Sequence, residues 1–448
     1  MYSKKIQDLL KKAKFGEELT VEKNGREYKG VLLPSTDFSD PDVLILKLNN
    51  GYNIGIRYDR TMALKKGGRE PKEVREEVKI ELGKAKHLKK LSFDPKKPKI
   101  SIITTGGTIG SRVDYETGGV TALMSPDELL SLAPELADFV CVRDILRPFM
   151  IMSENMNYRH YQEMAKEAAK ELKKDEGVVI THGTDTLHYT AAALSFMLPD
   201  LSKPVILTGS QRSSDRGSSD AAINLICSAN LAGYSEIAEV GICMHGTSND
   251  EFCLFSRGTK VRKMHTSRRD TFRPINEMPL AKVWPTGKIE ILNKAYRKRS
   301  EEETKADVRF EPKVALLKSY PGSNPEIMDF LLGKKYKGFV IEAHGLGHVP
   351  IEENSWLPAI KRAIDAGASV CFAAQTLYGR LDPFVYSQAR KAYELGVVYC
   401  EDMLPETAYI KLGWVLGHTT EPQEVKARML MNIAGEISDR TVPEAFLY

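Results

Sequence analysis

The stretch Ile100-Ser101-Ile102-Ile103-Thr104-Thr105-Gly106-Gly107-Thr108-Ile109-Gly110 opens as an apolar run and ends in a loop of hydroxyls and glycines. Further along, Gly177-Val178-Val179-Ile180 empties in the same way into Thr181-His182-Gly183-Thr184-Asp185-Thr186. Short apolar runs bounded by turn residues read as fully buried strands. In open parallel α/β sheets, ligands bind beyond the carboxyl ends of the strands. The two loops therefore bring hydroxyls and a carboxylate to the place where chemistry is expected. A hydrolase with a threonine nucleophile is the reading they support.

Working outward, the pattern from Ile100 onward is strand, loop, helix, repeated. Buried-strand candidates are Ile100–Ile103, Val178–Ile180, Val205–Leu207, Val240–Met244, Val314–Leu317, Phe339–Glu342, Ser369–Ala373 and Val397–Cys400. Helices are expected over Tyr158–Leu172, Thr190–Met197, Ser219–Leu231, Asn354–Ala366 and Pro422–Asn432, the last with proline in its first turn. Alternating β and α elements predict parallel sheets covered on both faces. The polar stretch Asn293–Pro312 divides this region into domains at 98–295 and 310–448.

The front of the chain differs. Asn24-Gly25 separates two alternating runs, and Asn49-Asn50-Gly51 separates two more. Asn-Gly flanked in this way is a strong hairpin signal. Four short strands predict a small all-β barrel of SH3 or Sm type over 1–62. A connector over 63–97 follows, dense in lysine at Lys84–Lys90 and Pro95–Lys99, with a short helix expected at Val74–Leu82. It reads as a solvated linker, or as a contact for an acidic partner such as RNA.

Composition bounds the function classes. The 448 residues carry a net charge of +4, too mild by itself to mark a nucleic-acid binder. No apolar run reaches the about 18 residues of a membrane span, and the start lacks a signal-peptide core. The six cysteines form no CxxC pair, which fits reduced core residues of a cytoplasmic protein. His344 and His348 have a zinc-like spacing, but the intervening glycines disfavour a helix and no third ligand is evident, so no metal is expected.

A threonine hydroxyl is a poor nucleophile until a base takes its proton. Thr184 and Asp185 place a hydroxyl beside a carboxylate, and a lysine held by that carboxylate completes a relay with the logic of a catalytic triad. Lys260 and Lys263, in Gly258–Thr266, are both candidates, and spacing does not choose between them.

The segment from about Lys99 to the C-terminus resembles the L-asparaginases and glutaminases. The carrying motifs are Thr105-Gly106-Gly107-Thr108-Ile109-Gly110 and His182-Gly183-Thr184-Asp185-Thr186. The resemblance implies an asparaginase-like two-domain fold with Thr108 as primary nucleophile. It implies Thr184, Asp185 and a lysine as the second catalytic group. Val261-Arg262-Lys263 matches the family's Val-x-Lys segment and favours Lys263. Ser153-Glu154-Asn155-Met156 matches a substrate-binding segment, which carries over Ser153 and, beside it, Glu154. A mobile-loop tyrosine closes over the substrate in the family, and Tyr115 lies in that region. The family's site sits at a contact between dimer mates, so a homodimer is implied.

Free asparaginases begin close to the first strand, whereas here a barrel and a basic connector precede it. With these included, the whole chain resembles the D subunits of archaeal-type glutamyl-tRNA(Gln) amidotransferases. That resemblance implies hydrolysis of L-glutamine and delivery of ammonia to a partner, the amidotransferase E subunit, within a heterotetramer. The partner would use ATP and Mg to convert glutamate on tRNA(Gln) to glutamine. No cofactor is expected in this chain. Two other readings are a free L-asparaginase with an added barrel and an RNA-binding protein whose hydrolase domain is inert.

Overall fold

In a computed structural model, the chain is described over residues 2–10, 13–35, 40–48, 53–66, 93–107, 109, 111–113, 120–122, 130, 132–213 and 219–448. Thr108, Tyr115 and the helix expected at Val74–Leu82 lie outside the described residues.

The N-terminal unit begins with a short helix, α1 (Lys4–Leu9). Strands β1 (Glu18–Lys23), β2 (Arg26–Leu32), β3 (Val43–Leu48), β4 (Asn53–Arg57) and β5 (Ala63–Lys66) follow. They form one sheet in the order β4-β3-β2-β1-β5, antiparallel throughout. The sheet takes in one strand more than the four expected, because Ala63–Lys66 pairs with β1. The β1–β2 turn has φ of 49° at Asn24 and 72° at Gly25, the left-handed conformations that a two-residue type I′ hairpin turn requires. Leu19, Val21, Leu32, Leu44, Leu46 and Ile56 alternate into the core, closed by Ile6 of α1.

The large domain is built on β6 (Lys99–Thr104), the short hairpin β7 (Ser111–Val113) and β8 (Val120–Ala122), β9 (Cys141–Leu146), β10 (Gly177–Thr181), β11 (Val205–Thr208), β12 (Val240–His245), β13 (Cys253–Arg257), the hairpin β14 (Val261–Lys263) and β15 (Phe272–Pro274), β16 (Ala281–Val283) and β17 (Ile289–Ile291). Eight of these make one sheet, in the order β17-β16-β13-β12-β11-β10-β6-β9. The five strands from β12 to β9 are parallel, and β13, β16 and β17 continue the sheet antiparallel. The sheet is therefore mixed rather than wholly parallel.

The helices here are α2 (Leu136–Phe139), α3 (Tyr158–Leu172), α4 (Leu187–Met197) and α5 (Ala221–Tyr234). Asn157 caps α3, accepting from the backbone N–H of Arg159 at 3.1 Å. Tyr161, Met164, Ala165, Ala168 and Leu172 then recur at helical spacing and are buried. These side chains and those of α4 cover one face of the sheet, and α5 with α2 covers the other.

The C-terminal domain holds a four-stranded parallel sheet in the order β18 (Val314–Lys318), β19 (Gly338–Ala343), β20 (Ser369–Ala374), β21 (Val398–Tyr399). Its helices are α6 (Glu326–Gly333), α7 (Leu357–Asp365), α8 (Ser387–Glu394), α9 (Pro405–Leu416) and α10 (Pro422–Leu430). One apolar cluster runs from α3 and α4 through α9 into this sheet, so the two α/β domains share a core. A fully buried side chain in it contributes roughly 1.5–3 kcal/mol. Among the described residues no helix is long and apolar enough to cross a membrane.

The stretch 293–312, expected as an interdomain linker, is an irregular strap bonded along the large domain. Arg299 Nη2 donates to Ala232 O at 2.8 Å, Thr304 meets Ser202 hydroxyl to hydroxyl at 2.9 Å, and Asp307 N donates to Met197 O at 2.8 Å.

Candidate active site

β6 and β10 are parallel neighbours, with Thr104 opposite Thr181, so their loops emerge side by side. Thr105 Oγ1 donates to Thr181 O at 3.0 Å and is fully buried. Gly106 and Gly107 follow with φ of 112° and 80°, values a side chain rarely adopts. A Cβ on Gly107 would overlap the backbone of Gly183, and one on Gly106 would overlap Ile151 O. The glycine turn thus lies directly against the second loop, immediately before Thr108.

The second loop gathers the other candidates. Lys263, the last residue of β14, donates from Nζ to Thr184 Oγ1 at 3.0 Å and to Asp185 Oδ1 at 2.7 Å. The Lys263 side chain is 10% exposed and that of Asp185 68%. Lys260 points elsewhere, into a fully buried ion pair with Asp402 at 2.6 Å. Ser153 sits in a short helical turn, Ser153–Asn155, and is 3% exposed. A Cβ on Gly183 would come within 2.7 Å of Ser153 Cβ, and Thr186 Oγ1 donates to Ser153 O at 2.7 Å. Glu154, its neighbour, is exposed. Ser153, Thr184, Asp185 and Lys263 therefore converge on one place, beside the glycine turn of the first loop.

Two buried histidines lie in this loop and in the helical turn that follows it. His182 is fully buried, with Nδ1 2.6 Å from Gly183 O and Nε2 2.9 Å from Thr190 Oγ1. The carbonyl can only accept, so Nδ1 carries the proton and Nε2 accepts from the hydroxyl. Burial pushes its pKa down to about 4, which keeps that neutral form. Burial, reinforced by the charges of Arg262 and Lys263, pushes His188 down to about 3. Its Nδ1 has no hydrogen-bond partner among the described residues.

A third loop, after β11, backs the second. His182 N donates to Thr208 O at 2.9 Å, Asn224 Nδ2 donates to Gly209 O at 2.9 Å, and the carboxylate of Asp220 accepts from the backbone of Gln211 and Arg212. Sequence reading did not single out His188, Asp220 or Asn224. The signal for His188 was its place in the first helical turn after the Thr-Asp-Thr run. Asp220 and Asn224 act through the backbone and carry no motif.

The described hydrogen bonds assemble a hydroxyl, a carboxylate and an amine in contact, next to a turn of backbone amides, which is the equipment of acyl transfer. Family models match in three consecutive pieces: the GatD N-terminal domain over 13–65, the asparaginase N-terminal domain over 99–297 and the glutaminase/asparaginase C-terminal domain over 313–429. The D subunit of the glutamyl-tRNA(Gln) amidotransferase of Pyrococcus abyssi is 52% identical over 96% of this chain and 95% of that protein. The protein of the same name from Methanothermobacter thermautotrophicus is 47% identical, covering 95% and 94%. Among solved structures, the thermostable L-asparaginase from Thermococcus kodakarensis matches with a TM-score of 0.69 and 30% identity, over 76% of this chain and all of that one. L-asparaginase I from Vibrio cholerae matches with a TM-score of 0.64 and 29% identity, over 76% and 99%. A domain that the free asparaginases do not cover, followed by both of theirs, places this chain in the family of glutamyl-tRNA(Gln) amidotransferase D subunits, built on the asparaginase fold.

Proposed function

We propose that this chain is the glutamine-hydrolysing component of a tRNA-dependent amidotransferase. The observation that carries the reading is the contact of Lys263 Nζ with both Thr184 Oγ1 and Asp185 Oδ1. In the proposed reaction Thr108 Oγ attacks the side-chain amide carbon of L-glutamine. Lys263, held by Asp185, takes the hydroxyl proton directly or through Thr184 and returns it to the departing nitrogen. The C–N bond breaks and ammonia leaves. Backbone N–H groups of the glycine turns would stabilise the developing oxyanion, a contribution of a few kcal/mol in comparable sites. Water then attacks the threonine ester, releasing glutamate and restoring the hydroxyl. Ser153, Glu154 and Tyr115 bind the rest of the substrate. Ammonia passes to a partner, the E subunit, which uses ATP and Mg to amidate glutamate on tRNA(Gln). The working assembly is a homodimer of this chain within a heterotetramer.

The names of the relatives support the coupling to tRNA, and the separate domain over 13–65 supports a partner that free asparaginases lack. The test is ammonia release from L-glutamine by the purified chain, alone and then with the partner, ATP and glutamyl-tRNA. Release that rises strongly only with the full set supports the reading. Full activity of the lone chain on L-asparagine, indifferent to tRNA, replaces it with a free asparaginase.

A further inference from the structure

Lys263 is carried by a hairpin that is not paired into the large sheet. Among the described residues β14 and β15 pair only with each other, as a separate two-stranded ribbon. The large domain holds the ribbon through Arg273 Nη1, which donates to Gly246 O at 3.2 Å, and through the buried Val261 and Phe272; a second set of contacts comes from the C-terminal domain. On the incoming side, Thr259 O accepts from Thr407 Oγ1 at 2.9 Å. Lys260 Nζ meets Asp402 Oδ2 at 2.6 Å, with neither side chain exposed. Arg262 Nη2 meets Glu406 Oε1 at 3.0 Å. On the outgoing side, Asn276 Nδ2 donates to Asp402 O at 3.2 Å. The two sides are tied to each other by Ile275 N donating to Lys260 O at 2.7 Å. Both ends of the hairpin thus converge on one residue, Asp402, which is itself held by Ser438 N donating to its Oδ1 at 3.0 Å.

These contacts are more directional than adhesion between domains needs. A buried ion pair is weak evidence for stability, because desolvation offsets most of its attraction and apolar packing serves as well. Hydrogen-bonded pairs, however, add fixed partner atoms and a preferred direction to that packing. Placement matters at a proton acceptor, since a misplacement of about 1 Å costs on the order of 100-fold in rate.

We propose that segment 402–407 of the C-terminal domain positions the proton acceptor: Asp402 through Lys260, and Glu406 through Arg262, hold β14 so that Lys263 Nζ reaches Thr184 and Asp185. The inference rests on the reading of Lys263 given above. Asp402 and Glu406 are positioning residues, acting only through the strand.

The test uses the full chain and glutamine hydrolysis. Asp402→Asn keeps the size of the side chain and an acceptor for Ser438 but removes the charge that holds Lys260. It is expected to lower kcat by about 10- to 100-fold with KM changed less than about twofold. In a Lys263→Ala background the same substitution should produce no further loss in the residual turnover, because the group it positions is gone. Unchanged kcat in Asp402→Asn overturns the proposal. So does an equal loss in both backgrounds, or a KM that rises along with the fall in kcat, since either marks a general structural support. Should Asp402→Asn not fold, Glu406→Gln, which acts on the partly exposed Arg262, carries the same comparison under the same criteria. Wild-type turnover in Lys263→Ala alone overturns the underlying reading instead, and that result is distinct from a failure confined to Asp402 and Glu406.

Discussion

Lys263 is in contact with a hydroxyl and a carboxylate at once, and removing the amine leaves neither with a route for the proton. Lys263→Met is expected to reduce ammonia release by about 100-fold or more, and Thr108→Ala to abolish it, as measured by coupled assay of released ammonia. Substantial activity in Thr108→Ala would reassign the nucleophile. His182 and His188 set an acid limit of another kind. Both have folded pKa values, about 4 and about 3, below the ordinary 6.5. The unfolded chain therefore binds more protons, so their contribution is full above pH 6.5 and is lost as pH falls through the folded values. The unfolding temperature should drop on acidification from pH 7 to pH 4, and less steeply in His182→Gln. An identical slope in that variant would remove His182 from the account. At this scale Thr184 and Asp185 were legible because they lie in a short run with its chemistry on display, whereas Ser153 was legible only through the resemblance of Ser153–Met156 to a family segment. Lys260 and Lys263 were not separable by spacing, since what distinguishes them is a partner 142 residues away.

The glycine turn shows what an element demands of its residues. Gly107 combines a φ of 80° with a Cβ position filled by the backbone of Gly183. Gly107→Ala is expected to cost roughly 1–3 kcal/mol in stability from the backbone conformation alone, and to displace the second loop, with loss of turnover. Paired denaturation and ammonia-release measurements check both, and a variant that is normal in each would mean the turn relaxes freely. Most buried strands and the helix Tyr158–Leu172 were readable from apolar runs and helical spacing, because burial imposes a pattern on at least four or five residues. The antiparallel extension β13, β16 and β17 was not. Two of those strands have three residues, with Lys282 and Glu290 at their centres, and three residues carry no period. β5 was missed for a related reason: Ala-Leu-Lys-Lys reads as the start of a charged connector until its pairing with β1 is seen.

Across the whole molecule, the division into a small all-β unit and two α/β domains was visible in turn chemistry and alternation, whereas the joints between domains were not. Arg257 is one such joint, since a Cβ on Gly435 of the C-terminal domain would come within 2.5 Å of its side chain. Its guanidinium holds Glu239 at 2.6 Å and Glu277 at 3.1 Å and reaches Ala295 O on the strap. Burial raises the carboxyl of Glu277, and Arg257 opposes that rise. Arg257→Ala leaves two buried acids without this counter-charge and is expected to destabilise the chain by about 3–5 kcal/mol, read from the shift in a denaturant midpoint. A shift below about 1 kcal/mol would show that water reaches both acids. Nothing in the local sequence marks this arginine, because its partners lie 18 and 20 residues away in connecting segments.

The strap over 293–312 has a kinematic consequence. Two bodies joined by a slack tether keep their rotational freedom and admit a small molecule by swinging apart. Here the tether is fastened along its length to one body, at Ala232, Ser202 and Met197, and the two bodies share an apolar seam through α4 and α9. That removes rotation as an inexpensive coordinate. In the proposed reaction, entry of substrate and exit of ammonia then fall to displacements of single loops, faster and smaller in amplitude than the swing of a domain.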